Sequence, residues 1–263
     1  MHLTVANLFF RNTIDKNMNK LPAITLSFWI MKICATTLGE TAGDLLSMTM
    51  NIGYAISSAI LLSFFFATLV VQLSTKKFHP AIYWAVILST STAGTTMSDY
   101  MDRTLGLGYA IGSLILVSLL TATLIIWKLT EKTLSVTNIK SLRGEVFYWT
   151  AILFSNTLGT ALGDFLADNS GLGFAGGAIL IGSLLVGIVL TYYFTKISHV
   201  ILFWSAFVLT RPFGATFGDL LTKTHEKGGL NFGTIGSSFI LFTVLVVLIA
   251  ISIIKLNREL KTT

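Results

Sequence analysis

The chain has 263 residues, 53% of them hydrophobic and 11% charged, with a formal charge of +6. Soluble domains carry about 25% charged residues, so this balance, with a mean hydropathy of +0.77, excludes an ordinary water-soluble fold. The basic excess does not indicate nucleic acid, because the lysines and arginines stand between apolar runs, and a single cysteine, Cys34, excludes an intrachain disulfide.

Residues 1–18 are mixed in polarity, and their apolar part (Leu8, Phe9, Phe10) is too short for a signal-peptide core. They read as a poorly ordered tail, with Met18 as an alternative start. Eight apolar stretches follow, at 22–46, 53–73, 81–101, 106–129, 146–167, 172–195, 200–221 and 230–254. Each supplies the about 20 residues that a helix, rising about 1.5 Å per residue, needs to cross ~30 Å of hydrocarbon. Pro22 and Pro80 fall near helix starts, where proline is tolerated. The runs are continuous and do not alternate, which argues against membrane strands. The expectation is an all-α integral membrane protein of eight transmembrane helices.

The tails and the connections near 74–80, 128–145 and 196–199 hold 13 basic residues, and the opposite side holds three, Arg103, Lys223 and Lys227. Basic residues favour the cytoplasm, so both termini are expected there, in the inner membrane of a bacterium.

The sequence repeats itself. Trp29, Trp84, Trp149 and Trp204 are spaced by 55, 65 and 55 residues. Gly39, Gly94, Gly159 and Gly214 follow each tryptophan by ten positions, and Asp44, Asp99, Asp164 and Asp219 follow by fifteen. The strings GETAGD, GTTMSD, GTALGD and GATFGD each precede a short turn and a glycine-rich second span. Four two-span units result, at 19–76, 77–130, 146–197 and 198–256, with a cytoplasmic linker at 131–145 and a tail at 257–263. An even number of spans per unit makes this a parallel repeat, unlike the inverted repeats of many transporters. All four aspartates are then expected near the outer ends of their helices.

Four tandem two-span units, each with its tryptophan, resemble a bacterial membrane-protein family named only for a repeat of unknown function. The resemblance covers about 22–255 and rests on Trp29, Trp84, Trp149 and Trp204. It implies the eight-span, inner-membrane reading and brings no activity with it. GETAGD is also similar to the Glu-x-Gly-Asp core of some cation exchangers, without the basic residue that follows there.

The glycines stand four apart, as Gly39/Gly43, Gly159/Gly163 and Gly214/Gly218, with Gly94/Ser98 as the variant. In lipid, small residues at this spacing let helix backbones approach closely, so they are expected to pack the bundle. The tryptophans are expected to form a belt at the inner interface. His79, His199 and His225 have no ligand spacing and are expected at the interfaces.

The charges within the spans carry the functional expectation. Carboxylates inside a membrane cost about 2.5–3.5 kcal/mol each at the centre and face a cavity or a partner. Glu40 shares a helix face with Asp44, but its counterparts are Thr95, Thr160 and Ala215. The counterparts of Lys32 in the other repeats are Ile87, Ile152 and Phe207, and those of Arg211 are Thr36, Ser91 and Asn156. Charges confined to the first and fourth units point to a shared site of Lys32, Thr36, Glu40, Asp44, Arg211 and Asp219, with Asp99 and Asp164 as further candidates. The bland alternative is a structural ion-pair network.

Five acids against two bases leave −3 in the spans. Such a surplus binds cations or takes up protons. Hydroxyls at Thr36, Thr37, Thr41, Thr95, Thr96, Thr157, Thr160 and Thr216 would add hard oxygen ligands, while Met48 and Met50 are the only hint of a soft metal. No phosphate-binding loop, nucleophile elbow or paired-cysteine motif occurs, so no cofactor is expected and an enzyme has only the acids behind it. A secondary transporter or exporter of a cation or proton-coupled solute is the expectation. A non-catalytic membrane scaffold or partner subunit is the alternative.

Overall fold

A computed structural model describes residues 20–136, 139 and 141–261; the expected N-terminal tail lies outside the described residues. The chain folds into α1 (Leu26–Asp44), α2 (Tyr54–Ser74), α3 (Pro80–Asp99), α4 (Gly108–Glu131), α5 (Leu142–Asp164), α6 (Gly173–Phe194), α7 (His199–Thr222) and α8 (Thr234–Lys261). No strand occurs among the described residues. The last helix runs into the stretch expected as a tail, and α5 starts four residues before the expected unit boundary. The linker is packed, with Val136 and Ile139 buried and Leu134 O accepting from Trp204 Nε1 at 3.1 Å.

The odd-numbered helices carry the repeat motifs and form a closed ring, α1 on α3, α3 on α5, α5 on α7 and α7 back on α1. The even-numbered helices stand outside it. Each packs mainly on the inner helix of the following repeat: α2 on α3, α4 on α5, α6 on α7, and α8 on α1. Four units in one direction thus close into a pseudo-fourfold ring, with the tryptophans at one end and the aspartates at the other.

Composition follows this division. Five helices, α2, α4, α6, α7 and α8, are long and apolar enough to cross a membrane. The outer ones expose large side chains such as Phe64, Val70, Leu114, Ile179 and Phe239. So much apolar surface is intolerable in water and natural in lipid. Helices α1, α3 and α5 are of similar length but rich in hydroxyls, and the ring shields them. Most of their threonines donate back to carbonyls three or four residues earlier, as Thr37 does to Ile33 O at 2.9 Å and Thr90 to Ile87 O at 2.9 Å. A buried hydroxyl satisfied within its own helix carries little desolvation cost.

The aspartate end is built the same way three times. A five-residue π turn follows Asp44, Asp99 and Asp164, closed by Met50 N to Leu45 O at 2.9 Å and its two equivalents. Two left-handed residues then turn the chain: Asn51 and Gly53, Gly106 and Gly108, Gly171 and Gly173, and again Asn231 and Gly233. Only glycine and asparagine enter that region cheaply. The fourth unit has no π turn, and fourteen residues separate Asp219 from Gly233 where the other units have nine. This five-residue insertion folds back through Leu230 N to Leu220 O at 2.6 Å and Asn231 N to Lys223 O at 2.9 Å.

The tryptophans do not form the expected interface belt. Trp84, Trp149 and Trp204 are buried and Trp29 is half-buried. They pack with Phe28, Tyr83, Tyr148 and Phe203, and Tyr83 and Tyr148 share a hydroxyl hydrogen bond of 2.7 Å. The reason is position: they sit on the inner helices, where each packs on the aromatic residue that precedes the tryptophan of the preceding inner helix in the ring, and Trp204 also packs on Trp127 of α4.

Candidate functional site along the ring axis

The glycines set the register of the ring. Each motif glycine faces the residue three before the motif glycine of the next helix: Gly39 against Ser91, Gly94 against Asn156, Gly159 against Arg211 and Gly214 against Thr36. One turn on, Gly43 faces Thr95, Gly163 faces Ala215 and Gly218 faces Glu40. A Cβ at Gly43 would lie 2.8 Å from Thr95 Cβ, and one at Gly214 would lie 2.6 Å from Thr36 Oγ1, so the helices meet backbone to side chain. Two rings of side chains result: Thr36, Ser91, Asn156 and Arg211, then Glu40, Thr95, Thr160 and Ala215.

Arg211 is wholly enclosed and reaches across the axis from the fourth repeat to the second. Nη1 donates to Glu40 Oε2 at 3.0 Å, and Nη2 donates to Thr95 Oγ1 at 2.5 Å, Thr160 Oγ1 at 2.7 Å and Ser91 O at 3.3 Å. The hydroxyls of Thr95 and Thr160 also lie 3.3 and 3.4 Å from Glu40 Oε2. The unique base of repeat four and the unique acid of repeat one therefore form one buried pair, completed by the neutral residues of the other two repeats.

Lys32 does not join that pair. It also crosses the axis, with Nζ 3.4 Å from Asn156 Oδ1 and 3.9 Å from the centroid of Phe207. No carboxylate among the described residues pairs with it. Eight residues separate it from Glu40, about 12 Å along a helix, and Arg211 fills the level between.

The aspartates form the last layer, all buried. Arg103 bridges two of them, Nε to Asp99 Oδ1 at 2.9 Å and Nη2 to Asp164 Oδ2 at 3.1 Å. Lys223 bridges the other two, Nζ to Asp44 Oδ2 at 2.5 Å and to Asp219 Oδ1 at 3.0 Å. Carboxylate oxygens of Glu40, Asp44 and Asp219 lie within 4.8 Å of one another. This overturns the charge count made from the spans. Arg103 and Lys223, assigned to the aqueous loops, belong to the acid layer, and the buried Asp102 enters beside Arg103, so six acids face four bases and the surplus is −2, not −3. The signal was present, since both stand four residues after a motif aspartate, on the same helix face.

The other candidates lie elsewhere. Thr36, Thr37, Thr41, Thr96, Thr157 and Thr216 donate to carbonyl oxygens, leaving Thr95 and Thr160 as the hydroxyls that touch Glu40. Met48 and Met50 are exposed beyond the acid layer. His199 packs on Tyr192, and His225 Nδ1 is 2.9 Å from Gly229 O. A groove of about 560 Å³ lies outside the ring between α6 and α7; Ala178, Gly182, Phe213 and Phe217 line it, and no axial residue does. The axial groups are packed side chain to side chain.

Such an arrangement can hold a hard cation or share protons among three carboxylates, next to a guanidinium that competes for one of them. The repeat sets the frame in which these charges stand, and comparison with known proteins identifies that repeat. Matches to the Repeat of Unknown Function (DUF347) fall at 27–78, 82–133, 147–198 and 202–255. No curated protein and no solved structure matches the chain. Four consecutive matches, one for each inner and outer helix pair of the ring, show that the chain belongs to the family built from this repeat.

Proposed function

We propose that the protein is a small secondary transporter or exporter that moves a cation, or a solute coupled to protons, through the acidic end of the ring. All eight helices cross the cytoplasmic membrane of a bacterium, with both termini inside. The uneven distribution of basic residues supports this orientation, and it puts the aspartate layer on the outer side. Glu40, Asp44 and Asp219 carry the ion or proton, and Arg211 is the counter-charge that releases it. Lys32, one level further in, supplies a second positive charge across the same axis.

The observation that carries this reading is the stack of the three-carboxylate cluster directly on the Glu40–Arg211 pair. A structural ion pair needs one acid beside Arg211; here that acid, Glu40, is the one the repeat does not supply, and it stands within 4.8 Å of Asp44 and Asp219, which the repeat does supply. The packing of the axis corresponds to an occluded state. The scaffold reading has one observation in its favour, the saturation of both Arg211 amino groups by protein oxygens. No catalytic role is proposed for the acids.

Glu40→Gln separates the two readings. Glutamine keeps an acceptor for Arg211 and the two threonines but carries no charge, so the variant is expected to fold. In proteoliposomes, flux of protons or of Na⁺, Mg²⁺ or Mn²⁺ is expected to fall by at least about tenfold, one decade being about 1.4 kcal/mol. If wild-type protein moves none of these ions, or if the variant moves them at the wild-type rate, the transporter reading is lost.

A further inference from the structure

The acid layer has a pseudo-twofold arrangement, and its two halves are not equivalent. Arg103 and Lys223 occupy the same position, four residues after the aspartates of repeats two and four. Each ties its own aspartate to that of the following repeat. What surrounds them differs in three ways. Beneath Arg103 the repeat supplies Thr160, and beneath Lys223 it supplies Glu40. Arg103 lies 5.7 Å from the centroid of Tyr109, whose hydroxyl donates to Asp168 at 3.0 Å. The matching positions near Lys223 hold Thr234, whose hydroxyl is spent on Thr49 at 2.7 Å, and Met48. Finally, arginine is a planar fork that spans two carboxylates, whereas lysine is one ammonium on a flexible stem.

From these differences we propose that Lys223 is a movable latch: a tethered cation that closes the three-carboxylate site and must be displaced before a solute cation enters, while Arg103 is a fixed brace. This rests on the transport reading for the identity of the competitor, but not for the movement of the latch. Both side chains reach solvent, Lys223 at 19% and Arg103 at 35% exposure, so what separates them is the hold on the head group: Arg103 grips two carboxylates with a fork beside the Tyr109 ring, whereas the Lys223 ammonium has no such ring beside it among the described residues. The five-residue insertion that begins at this point pins the backbone at Asn231 N to Lys223 O, leaving the stem as the part that moves. With the ammonium withdrawn, Glu40, Asp44 and Asp219 face the outer side with only Arg211 to balance them. A divalent cation restores the balance better than the lysine does, because it brings two charges to three carboxylates.

Ala215 gives a reporter, since it sits in the ring of Glu40 and is buried. Ala215→Cys in a Cys34→Ser background is treated with a small cationic thiol reagent, and labelling of purified, detergent-solubilised protein is timed. With Lys223 intact, labelling is expected to be slow. Lys223→Gln should speed it at least about tenfold, Lys223→Arg should leave it slow, and Arg103→Gln should change it by less than about threefold. Raising the salt from about 0.05 to about 1 M should speed labelling of the Lys223 protein, though less than Lys223→Gln does, because the ammonium is partly exposed and screening weakens a partly buried pair less than an exposed one; this arm needs no further variant to fold. Equal rates with and without the Lys223→Gln substitution, equal acceleration by the Arg103 variant, or indifference to salt would each overturn the latch. Protection of the Lys223→Gln protein by Mg²⁺ or Mn²⁺ supports a cation as the competitor. Faster labelling without protection keeps the latch and removes the cation reading.

Discussion

Arg211→Ala is expected to destabilise the folded protein by about 3–5 kcal/mol, the range for breaking a buried ion pair from one side. The guanidinium is the hub of the central layer, wholly enclosed and bonded to groups from the other three inner helices. Its removal leaves Glu40 charged without a partner and opens a void where the stem lay against Gly159. Thr95 and Thr160 lose their strongest donor at the same time. The Arg211→Met, Glu40→Leu double substitution removes both charges and keeps most of the volume, and it should recover more than half of the loss. Thermal unfolding of the purified protein, followed by the fraction that stays monodisperse, checks both. A double variant as unstable as Arg211→Ala would show that the pair is not what holds this layer.

Gly159→Ala is the second large effect, and it comes from a single methyl group. The new Cβ would meet the Cβ and Cγ of Arg211 and lie 3.0 Å from Pro212 Cδ, a ring that cannot rotate away. Overpacking of this kind costs about 1–3 kcal/mol, occasionally more. Here the upper end is expected, because displacing Arg211 also breaks the bonds to Glu40 and the threonines. Gly187→Ala is the control. It lies within α6, a Cβ there meets nothing within 4 Å, and alanine is the better helix former by about 0.8–1.0 kcal/mol. The Gly159 variant should therefore unfold at lower temperature than wild type, and the Gly187 variant at the same temperature or higher. Equal melting of the two would remove the close approach of α5 and α7 as the source of the ring's register.

Much of this arrangement was legible in the sequence, for a definite reason. A fourfold repeat forces equivalent residues to equivalent places, so the frame Trp–Gly–Asp yields four units, their two helices each and the level of the aspartates. It also makes every departure visible, which is how Glu40 and Arg211 stand out before their contact is seen. What the frame cannot give is direction around the axis. The tryptophans read as a lipid-interface belt because nothing in their spacing says which helices form the inner ring. The lower hydropathy of α1, α3 and α5 carried that information, since helices rich in hydroxyls must be the shielded ones. Lys32 was grouped with Glu40 because both lie on one helix face. Their separation depends on Arg211 entering between them from another helix, which no local pattern reports. Arg103 and Lys223 were lost for a simpler reason. They were counted as loop charges when their spacing from Asp99 and Asp219 put them one helical turn past those acids.

The cover that each outer helix provides for the following repeat has a consequence for how the chain comes to be built. Helix α1 is synthesised before its cover, α8, with the other six helices in between. The hydroxyl-rich α1 must wait, unpartnered on one side, until α8 has been made. Closure of the circle is then a single late event joining the first repeat to the fourth. Loss of α8 would consequently be felt far away in sequence, in the repeat that carries Glu40.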